Sequence, residues 1–409
     1  MNELHNENAL ASGQKYLGKI GLILYIALMN MFIPLSTDLY LPALPNMNLY
    51  FGSTTGITNL TLSVFFACYA IGMLFWGPLS DKYGRKPILV SGGIIYLSGS
   101  ILCALSTNVY LLIIFRAVQG IGAGGITSVS TAIIKDCYQG RRRESILAIS
   151  QTISGLAPML APVVGAILLQ YTSWKGAFWT LSAIGILYLV LTLLFQETLS
   201  PKNRYVGTLA GSFARLLVVA RNKSFFIPIL LFALSSLPFM GYIALSSYIY
   251  IDYFGLSEKS YSYFFATNAL ITIIGPTIYV RFLSGMNKKL FASGCFLLSI
   301  LSGLLVMAIG TLAPVLFLCS FLLFSLICTT IRPFSMNLLF EQQKGDSGSA
   351  SSVINTMYTV FGCIGMLISS LSWGNIVAGL GTIIVVFSAI SLIGWFLFLK
   401  SRIPCAGLK

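Results

Sequence analysis

Long stretches without any charged side chain constrain this sequence more than any other feature. Residues 347–399 form a run of 53 residues without Asp, Glu, Lys or Arg, and residues 290–331 form another of 42. A helix needs about 20 apolar residues to cross a bilayer, so each run is long enough for two crossings. Breaks near Gly374 and at residues 310–314 divide the two runs. Extended to the whole chain, this pattern predicts twelve transmembrane helices.

The composition excludes a soluble enzyme. Hydrophobic residues make up 56% of the 409 residues and charged residues only 9%, whereas soluble domains carry about 25% charged residues. The single histidine, His5, lies in a polar N-terminal tail, which removes histidine-based catalysis and histidine-ligated metals. The eight cysteines form no CxxC pair, so neither a disulfide framework nor a zinc site is indicated. We therefore predict no catalytic residue and no metal site.

The basic residues predict how the helices are oriented. With twelve spans and an internal N-terminus, nearly all of the 25 Lys and Arg residues fall on the cytoplasmic side, as the positive-inside rule requires. These residues face an anionic lipid leaflet, so the net charge of +14 needs no nucleic-acid partner. We expect a multi-pass protein of the plasma (bacterial inner) membrane with both termini in the cytoplasm and no cleaved signal peptide.

Weak internal repetition predicts two related halves. Residues 76–86 align with residues 279–289, and the loop around Gly140 aligns with the loop around Gly345. Such repeats form two bundles with the functional cavity at their interface. We predict a polar tail at 1–16, six-helix bundles at 17–195 and 224–400, a cytoplasmic linker at 196–223 and a cytoplasmic tail at 401–409. Apolar and basic residues alternate at 213–221 with helical spacing, which favours a surface helix in the linker; a plain tether is the alternative.

Asp38 is the only charged residue between residues 20 and 80. A carboxylate within a membrane normally faces a cavity or a partner. The alternative is that Asp38 marks the outer end of the first span, beside Pro42 and Pro45. Arg116, in the fourth span, is predicted to lie in the same outer half of the membrane, so it is a candidate partner for Asp38.

Two arginines interrupt the apolar spans. Arg116 shares one helix face with Gln119 and Gly120, at i+3 and i+4. Arg116 either acts in the cavity or has a structural role, in which its guanidinium donates hydrogen bonds to carbonyl groups and holds helices together. Arg332, in the tenth span, lies nearer the inner end and either snorkels to the cytoplasm or acts in the cavity.

Glycines and prolines mark two further segments. Residues 120–125 match GxGxxG formally, but they lie within an apolar helix and not after a strand. Gly120 and Gly124 instead predict close helix packing. In the fifth span, four residues weaken the backbone hydrogen bonds and predict a bend, either static or moving: Gly155, Pro158, Pro162 and Gly165.

Several motifs resemble those of the major facilitator superfamily. The loop between the second and third spans resembles its signature loop in its acid, its glycines and its paired bases: Gly77, Asp81, Gly84, Arg85 and Lys86. Residues 36–45 resemble the first-span signature of bicyclomycin- and chloramphenicol-resistance exporters (the Bcr/CflA type), and Glu197-Thr198-Leu199 fits that group. In the C-terminal half only the topology and a degenerate loop match, with Ser284 in place of the acid.

Two span motifs resemble those of drug:proton antiporters. Arg116, Gln119 and Gly120 resemble the fourth-span motif, and residues 161–165 resemble the fifth-span antiporter motif, with Ala161 in place of the commoner glycine. The resemblance implies an all-α polytopic fold of twelve helices in two pseudo-symmetric bundles. It also implies alternating access, in which small amphipathic or drug-like molecules are exported in exchange for protons.

The resemblance assigns roles to the candidate residues. The predicted proton-coupling and substrate cavity contains Asp38, Arg116, Gln119, Asn30 and Tyr40, and the signature loop is the predicted conformational switch. We expect a monomer whose partners are the lipid bilayer, a small-molecule substrate and protons as the coupling ion, with no other cofactor. The alternative function is proton-coupled or facilitative transport of one specific metabolite on the same fold. The sequence lacks the acid and base groups that an intramembrane enzyme needs. It also lacks the filter-like segment that a channel needs.

Overall fold

All regular secondary structure in the described part of the chain is helical. The computed structural model describes residues 14–138, 140–201, 204, 218–219, 221–342, 347–401 and 403–408. Within them, twelve helical segments are long and apolar enough to cross a membrane. We number these α1 Gly18–Phe51, α2 Thr55–Tyr83, α3 Arg85–Leu105, α4 Val109–Cys137, α5 Gly140–Tyr171, α6 Trp174–Leu194, α7 Lys223–Tyr253, α8 Glu258–Leu283, α9 Lys288–Ala308, α10 Pro314–Glu341, α11 Ser347–Ser369 and α12 Ile376–Lys400. The predicted fold class and number of spans are confirmed.

Three of the twelve segments change their helical form along their length. In α1, an α-helix over Gly18–Asp38 is followed by a 3₁₀ turn over Leu41–Ala43 and a short helix over Leu44–Phe51. Prolines in that region remove backbone donors and favour such a break. Segments α7 and α8 end in π-helical turns, over Tyr248–Tyr253 and Tyr279–Leu283.

Local sequence sets several helix starts through asparagine caps. The Asn108 side chain accepts a hydrogen bond from the backbone N–H of Leu111 at 2.9 Å at the start of α4. Asn287 and Asn375 cap α9 and α12 in the same way. A side-chain oxygen at this position satisfies backbone N–H groups that have no partner within the helix. The asparagine just before each of these helices therefore fixes the residue at which the helix begins.

The glycines of α4 allow the close packing that their spacing predicts. A Cβ atom on Gly124 would lie 2.7 Å from the backbone nitrogen of Met73 in α2, and one on Gly120 would overlap the carbonyl of Phe65. Residues 120–125 lie inside α4, with no preceding strand among the described residues. The segment is thus a helix-packing surface, and a dinucleotide-binding loop is excluded.

The outer surface of many helices is apolar. Leu193 in α6 is 66% exposed, and Ile393 and Leu397 in α12 are 60% and 65% exposed. Extended apolar surface of this kind is rare on soluble monomers. Lipid chains bury these side chains in a membrane, and the helices are long enough to cross one.

The contacts between Cα atoms divide the chain into two compact units. The first comprises residues 1–53 and 60–209, and the second comprises residues 54–59 and 210–409. In the first unit, α1 packs on α5, and α3 packs on α4 and α6. In the second, α7 packs on α11, and α9 packs on α10 and α12. The corresponding helices therefore pair in the same way within each unit, as internal repetition predicts.

A glutamine side chain clamps a connecting segment within each unit. In the first unit, the Gln14 amide donates to the carbonyl of Gln196 at 2.8 Å and accepts from the Gln196 N–H at 2.9 Å. In the second, the Gln342 amide donates to the carbonyl of Ala406 and accepts from the Ala406 N–H, both at 2.9 Å. These paired bonds fix the end of α6 and the C-terminal tail, respectively.

Parts of the predicted termini and linker lie outside the described residues. These are residues 1–13 of the predicted polar tail and residues 205–217, where most of the predicted linker helix falls. That helix stays a prediction.

In the C-terminal tail, burial and the neighbouring Glu341 raise the pKa of the Cys405 thiol to about 11.

Candidate functional site

Arg116 is the most thoroughly enclosed charged group in the described residues. It lies on α4 with 0% of its surface exposed. Its Nη1 donates to the carbonyl of Ser36 at 3.0 Å and to Oε1 of Gln119, and its Nε donates to the carbonyl of Thr61 at 3.1 Å. The guanidinium therefore joins α1, α2 and α4 through groups that all accept hydrogen bonds.

Aromatic rings surround the same guanidinium. Its central carbon lies 4.1 Å from the ring centre of Phe65, 4.9 Å from that of Tyr40 and 5.8 Å from that of Phe178. A cation over a ring face is stabilised by the ring quadrupole, more so where water is excluded. Tyr40, a predicted cavity residue, is itself completely buried, and its hydroxyl pairs with Thr61 Oγ1 at 3.1 Å. Its position is thus in the wall around Arg116.

Asp38 lies at the end of the first helix of α1 and is 4% exposed. Its carboxylate accepts a hydrogen bond from Thr37 Oγ1 at 2.8 Å. The first α-helix of α1 ends at this residue, and the segment continues through a 3₁₀ turn and a short helix to Phe51, so the alternative that Asp38 marks the outer end of the first span stays a prediction. A buried carboxylate inside a transmembrane segment is the kind of group that proton carriers use.

The predicted partnership of Asp38 with Arg116 is wrong as an ion pair. Both side chains are described, and the ion pairs among the described residues do not include one between them. Nε and Nη1 of Arg116 donate to carbonyl oxygens, of which that of Ser36 is two residues from Asp38, and Nη2 is buried without a partner among the described residues. The structural alternative for Arg116, a guanidinium that satisfies carbonyls and locks helices, matches this geometry. Arg116 therefore holds the backbone that carries Asp38.

Gln119 extends the polar contacts of Arg116 to α3. Its Nε2 donates to Ser100 Oγ at 2.7 Å, and Ser100 Oγ donates to the carbonyl of Tyr96 at 2.8 Å. The Tyr96 hydroxyl pairs with Ser36 Oγ at 2.7 Å. A chain of hydrogen bonds thus begins and ends at Ser36 on α1. The i, i+3 relation between Arg116 and Gln119 predicted from the sequence is confirmed as a direct contact.

Asn30 forms a second polar connection on α1. Its Nδ2 donates to Ser150 Oγ on α5, and Ser130 Oγ on α4 donates to Asn30 Oδ1, each at 2.7 Å. Asn30 is half-buried, so its amide fixes three helices and keeps part of its surface accessible. It does not contact Arg116 or Asp38 directly among the bonds that the described residues form.

Segment α5 touches α1 next to Asp38. A Cβ atom on Gly165 would overlap the carbonyl of Leu39, the residue that follows Asp38. The absence of a side chain at Gly165 is therefore what lets the two helices meet there. The helix Gly140–Tyr171 runs through Pro158 and Pro162 as one element. The predicted bend at Gly155, Pro158, Pro162 and Gly165 stays a prediction.

A charged cluster, which we call the inner cluster after the predicted orientation, forms where α2 and α4 end and α3 begins. Arg85, the first residue of α3, donates through Nε to Asp136 Oδ2 at 2.8 Å and through Nη1 to Asp81. Asp81 is 57% exposed at its side chain, whereas Asp136 is 15% exposed. The Thr198 hydroxyl also donates to Asp136, at 3.2 Å. Arg85 thus bridges α2, α3 and α4.

Glu197 occupies the N-terminus of α3. Its two carboxylate oxygens accept from the N–H groups of Arg85 and Lys86, each at 3.0 Å. A negative charge there complements the helix dipole. Gly84 has φ +105°, and a Cβ on it would lie 2.6 Å from Glu197 Oε2. Glycine is required because no other residue combines this φ with such a close approach. Gly77 lies in open space.

The second unit contains the counterpart of one ion pair of this cluster. Lys288, at the start of α9, pairs through Nζ with Oε1 of Glu341, at the end of α10, at 3.0 Å. At the repeat offsets of the sequence, Lys288 corresponds to Arg85 and Glu341 to Asp136. Asp81 corresponds to Ser284, which carries no charge. One ion pair is therefore repeated, and the exposed acid is specific to the first unit.

Two residues of this inner cluster had no assigned role in the sequence. Asp136 follows Lys135 at the inner end of α4, and an acid beside a strongly basic loop is the signal that identifies it. Glu197 was noted for its resemblance alone, and its contact with α3 spans more than 100 positions. Pairings of that length are invisible to local patterns.

Comparisons with known proteins agree with this architecture. The family model described as Major Facilitator Superfamily matches residues 26–366. The uncharacterized MFS-type transporter YdgK of Bacillus subtilis strain 168 is 26% identical over 94% of this chain and 97% of its own length. The multidrug resistance protein MdtL of Salmonella heidelberg strain SL476 is 33% identical, over 44% of this chain and 45% of its own. The match to MdtL thus spans less than half of either chain.

A solved structure supports the fold. The crystal structure of a D-xylose-proton symporter superposes with a TM-score of 0.70, covering 95% of this chain and 98% of that one at 16% identity. At such identity the likeness concerns the fold alone. Together with the twelve apolar helices, these matches establish a multi-pass membrane transporter and confirm the resemblance noted in the sequence.

Proposed function

This chain belongs to the Major Facilitator Superfamily, and we propose that it exports small amphipathic or drug-like molecules in exchange for protons by alternating access. It is a transporter and not an enzyme. The observation that carries the proposal is Asp38, a buried carboxyl group of α1 without an ion-pair partner among the described residues. The MdtL relatives, named for multidrug resistance, support export of drug-like molecules.

The isolation of Asp38 is the physical basis of the proposed coupling. An ionised carboxylate at membrane depth costs a few kcal/mol on insertion scales, and a bound proton or a bound cation relieves that cost. Because no basic side chain pairs with Asp38, the proton is free to take this role. The carbonyl bond from Arg116 to Ser36 keeps Asp38 in position without neutralising it.

The proposal also includes a location and a working form. Both termini lie in the cytoplasm of a plasma (bacterial inner) membrane, as the distribution of Lys and Arg supports. The carrier works as a monomer in the lipid bilayer, with the proton as its only coupling ion.

Proton-driven accumulation in inside-out membrane vesicles tests the proposed function. We expect an acidic lumen to drive uphill uptake of neutral, cationic or anionic amphipathic probes, and a protonophore to abolish it. One pH unit with about 100 mV supplies about 3.7 kcal/mol per proton, or several-hundred-fold accumulation at most. Uptake that stops at equal concentrations, with or without the gradient, would identify a facilitator of the alternative kind and contradict the proposal.

Asp81 tests the proposed switch at the signature loop. We expect Asp81→Asn to insert and fold normally, because Arg85 keeps its bonds to the less exposed Asp136. Transport should be slower, since the Asp81–Arg85 contact stabilises one conformation over another and its loss shifts their balance. Initial rates in vesicles, normalised to the amount of folded carrier, measure the effect. Ser284→Ala, at the equivalent position of the second unit, is the matched control, and equal rates for Asp81→Asn and wild type argue against a switch.

A further inference from the structure

Arg332 is a membrane-embedded cation that has no role in the proposed function. It is the only charged residue between Lys289 and Glu341, and it lies on α10. Its side chain is exposed and forms neither an ion pair nor a hydrogen bond with the described residues. A cation at membrane depth is costly unless it meets water, a partner or a ligand.

The guanidinium of Arg332 is held in place by an aromatic ring. Its central carbon lies 4.9 Å from the ring centre of Tyr358 on α11. The Tyr358 hydroxyl pairs with Ser335 Oγ at 2.9 Å, and its carbonyl accepts from Ser236 Oγ at 2.9 Å. Tyr358 is only 7% exposed. A fixed ring therefore positions a guanidinium whose hydrogen-bond donors remain free.

The contact lies in the half of α10 that ends at Glu341. Arg332 is nine residues from Glu341, about 13 Å, and about 7 Å from the centre of the 28-residue helix. Tyr358 is 11 residues from the start of α11 at Ser347, about 16 Å. The ring of Tyr358 holds the guanidinium at this level. Snorkelling and action in the cavity both stay predictions for Arg332.

The surroundings of Arg332 are not lipid-facing. From Phe317 to Glu341, α10 exposes no large apolar side chain. The exposed large apolar side chains of α11 form one stripe, at positions 360, 364 and 367. Tyr358 points about 160° away from position 360 at 100° per residue. Arg332, which stacks on Tyr358, thus lies on the side of α11 opposite its apolar stripe.

A neutral amide accompanies this cation. Asn355 lies one turn before Tyr358 on the same face of α11. Its side chain is half-buried and forms no hydrogen bond with the described residues. A guanidinium without a hydrogen-bond partner, one helical turn from the level of an amide that also has none among the described residues, is a donor set that suits a carboxylate, because the guanidinium fork matches its two oxygens.

We propose that Arg332, positioned by Tyr358, is an anion-binding group that recognises the carboxylate of a transported amphipathic molecule. The proposal rests on the proposed export function and narrows its substrates to organic anions with an apolar body. The apolar body is accommodated by the helices, and the carboxylate is bound by the guanidinium with Asn355 as a second donor. Tyr358 is a positioning residue, since it acts through Arg332.

Equilibrium binding to the purified full-length chain in detergent tests this assignment without a proton gradient. The probes are matched pairs that differ in charge alone: salicylate with salicylamide, cinnamate with cinnamamide, and diclofenac with its primary amide. We expect wild type to bind at least one carboxylate about tenfold more tightly than its amide, the equivalent of about 1.4 kcal/mol. A wild-type protein that prefers no carboxylate over its amide overturns the proposal.

Variants assign the preference to this site. Arg332→Gln should abolish it by weakening carboxylate binding about tenfold, with amide binding unchanged, and Arg332→Lys should keep part of it. Tyr358→Leu should reduce it with the charge still present. Arg281→Gln is the matched control, because Arg281 is also exposed and stacked on a ring, that of Phe282, and it should keep the preference.

The outcomes separate this proposal from the proposed function. Equal losses for carboxylate and amide in Arg332→Gln would indicate a structural role and contradict the proposal, as would a loss of preference in Arg281→Gln. Binding needs no gradient, so a carboxylate preference that disappears in Arg332→Gln supports the anion site even if proton-driven export fails. Proton-driven export of neutral probes alone, without carboxylate preference, supports export and overturns the anion site.

Discussion

Replacing Arg116 by alanine is expected to leave little folded protein in the membrane. The change removes the donors to two buried carbonyls and to the Gln119 side chain, and it takes the cation from three aromatic rings. Each buried acceptor left without a donor costs about 1–3 kcal/mol, and native proteins are stable by only about 5–15 kcal/mol. Thermal denaturation of the purified carrier, followed by size-exclusion chromatography, should give a Tm lower by about 10 °C or more.

The matched control for this variant is Arg332→Ala. Arg332 is exposed and lacks hydrogen bonds with the described residues, so its removal should change Tm by only about 2–4 °C. Arg116→Lys should fall between the two, because an ammonium group cannot satisfy the same fork of acceptors. Equal melting temperatures for Arg116→Ala and wild type would show that the arginine is not a structural lock.

The sequence predicted that Arg116 and Gln119 share a helix face, but it did not predict the contacts of Arg116 with α1 and α2. Spacing alone brought Arg116 and Gln119 together, because i and i+3 residues are neighbours on any helix. The interaction with Ser36 depends on where α1 breaks. Its first helix ends at Asp38, and the last carbonyls of a helix have no partner within it. Arg116 satisfies one of these carbonyls, and a positive charge there also complements the helix dipole.

The incorrect ion pair between Asp38 and Arg116 has the same origin. Helical rise gives the depth of a residue in the membrane, and similar depths made the two charges candidate partners. Rise says nothing about the direction in which each side chain points. The first α-helix of α1 ends at Asp38, and the carbonyl of Ser36 in its last turn accepts from the guanidinium in place of the carboxylate.

The inner loops show what repetition can and cannot predict. The offset between the halves aligned the segments that contain Arg85 and Lys288, and the structure shows that these two residues form ion pairs with Asp136 and Glu341, respectively. It could not identify Glu197 as the acid at the start of α3, because that contact joins the end of α6 to a distant loop. Local patterns thus predicted the elements and the aligned segments, whereas the ion pairs and the long-range caps required coordinates.

Replacing Asp38 by asparagine is expected to abolish proton-driven export and to preserve substrate binding. Asparagine has the shape of the protonated acid and can accept the same bond from Thr37 Oγ1. It cannot release a proton, so the coupled cycle loses its driving force. In inside-out vesicles with an acidic lumen, accumulation should fall from as much as several-hundred-fold to equal concentrations. Binding of the same probe to the purified variant, measured in parallel, should match wild type.

Asp252→Asn separates proton coupling from a general loss of negative charge. Asp252 lies in the terminal π-helical turn of α7 and is exposed, so water has access to its ionised form. A group whose ionised state is always hydrated does not need a substrate or a conformational change to exchange its proton, and its removal should leave accumulation intact. The buried Asp38 lacks that access, which is why the two neutral substitutions should differ. Uphill export by Asp38→Asn at the wild-type rate would show that the coupling proton is carried by another group.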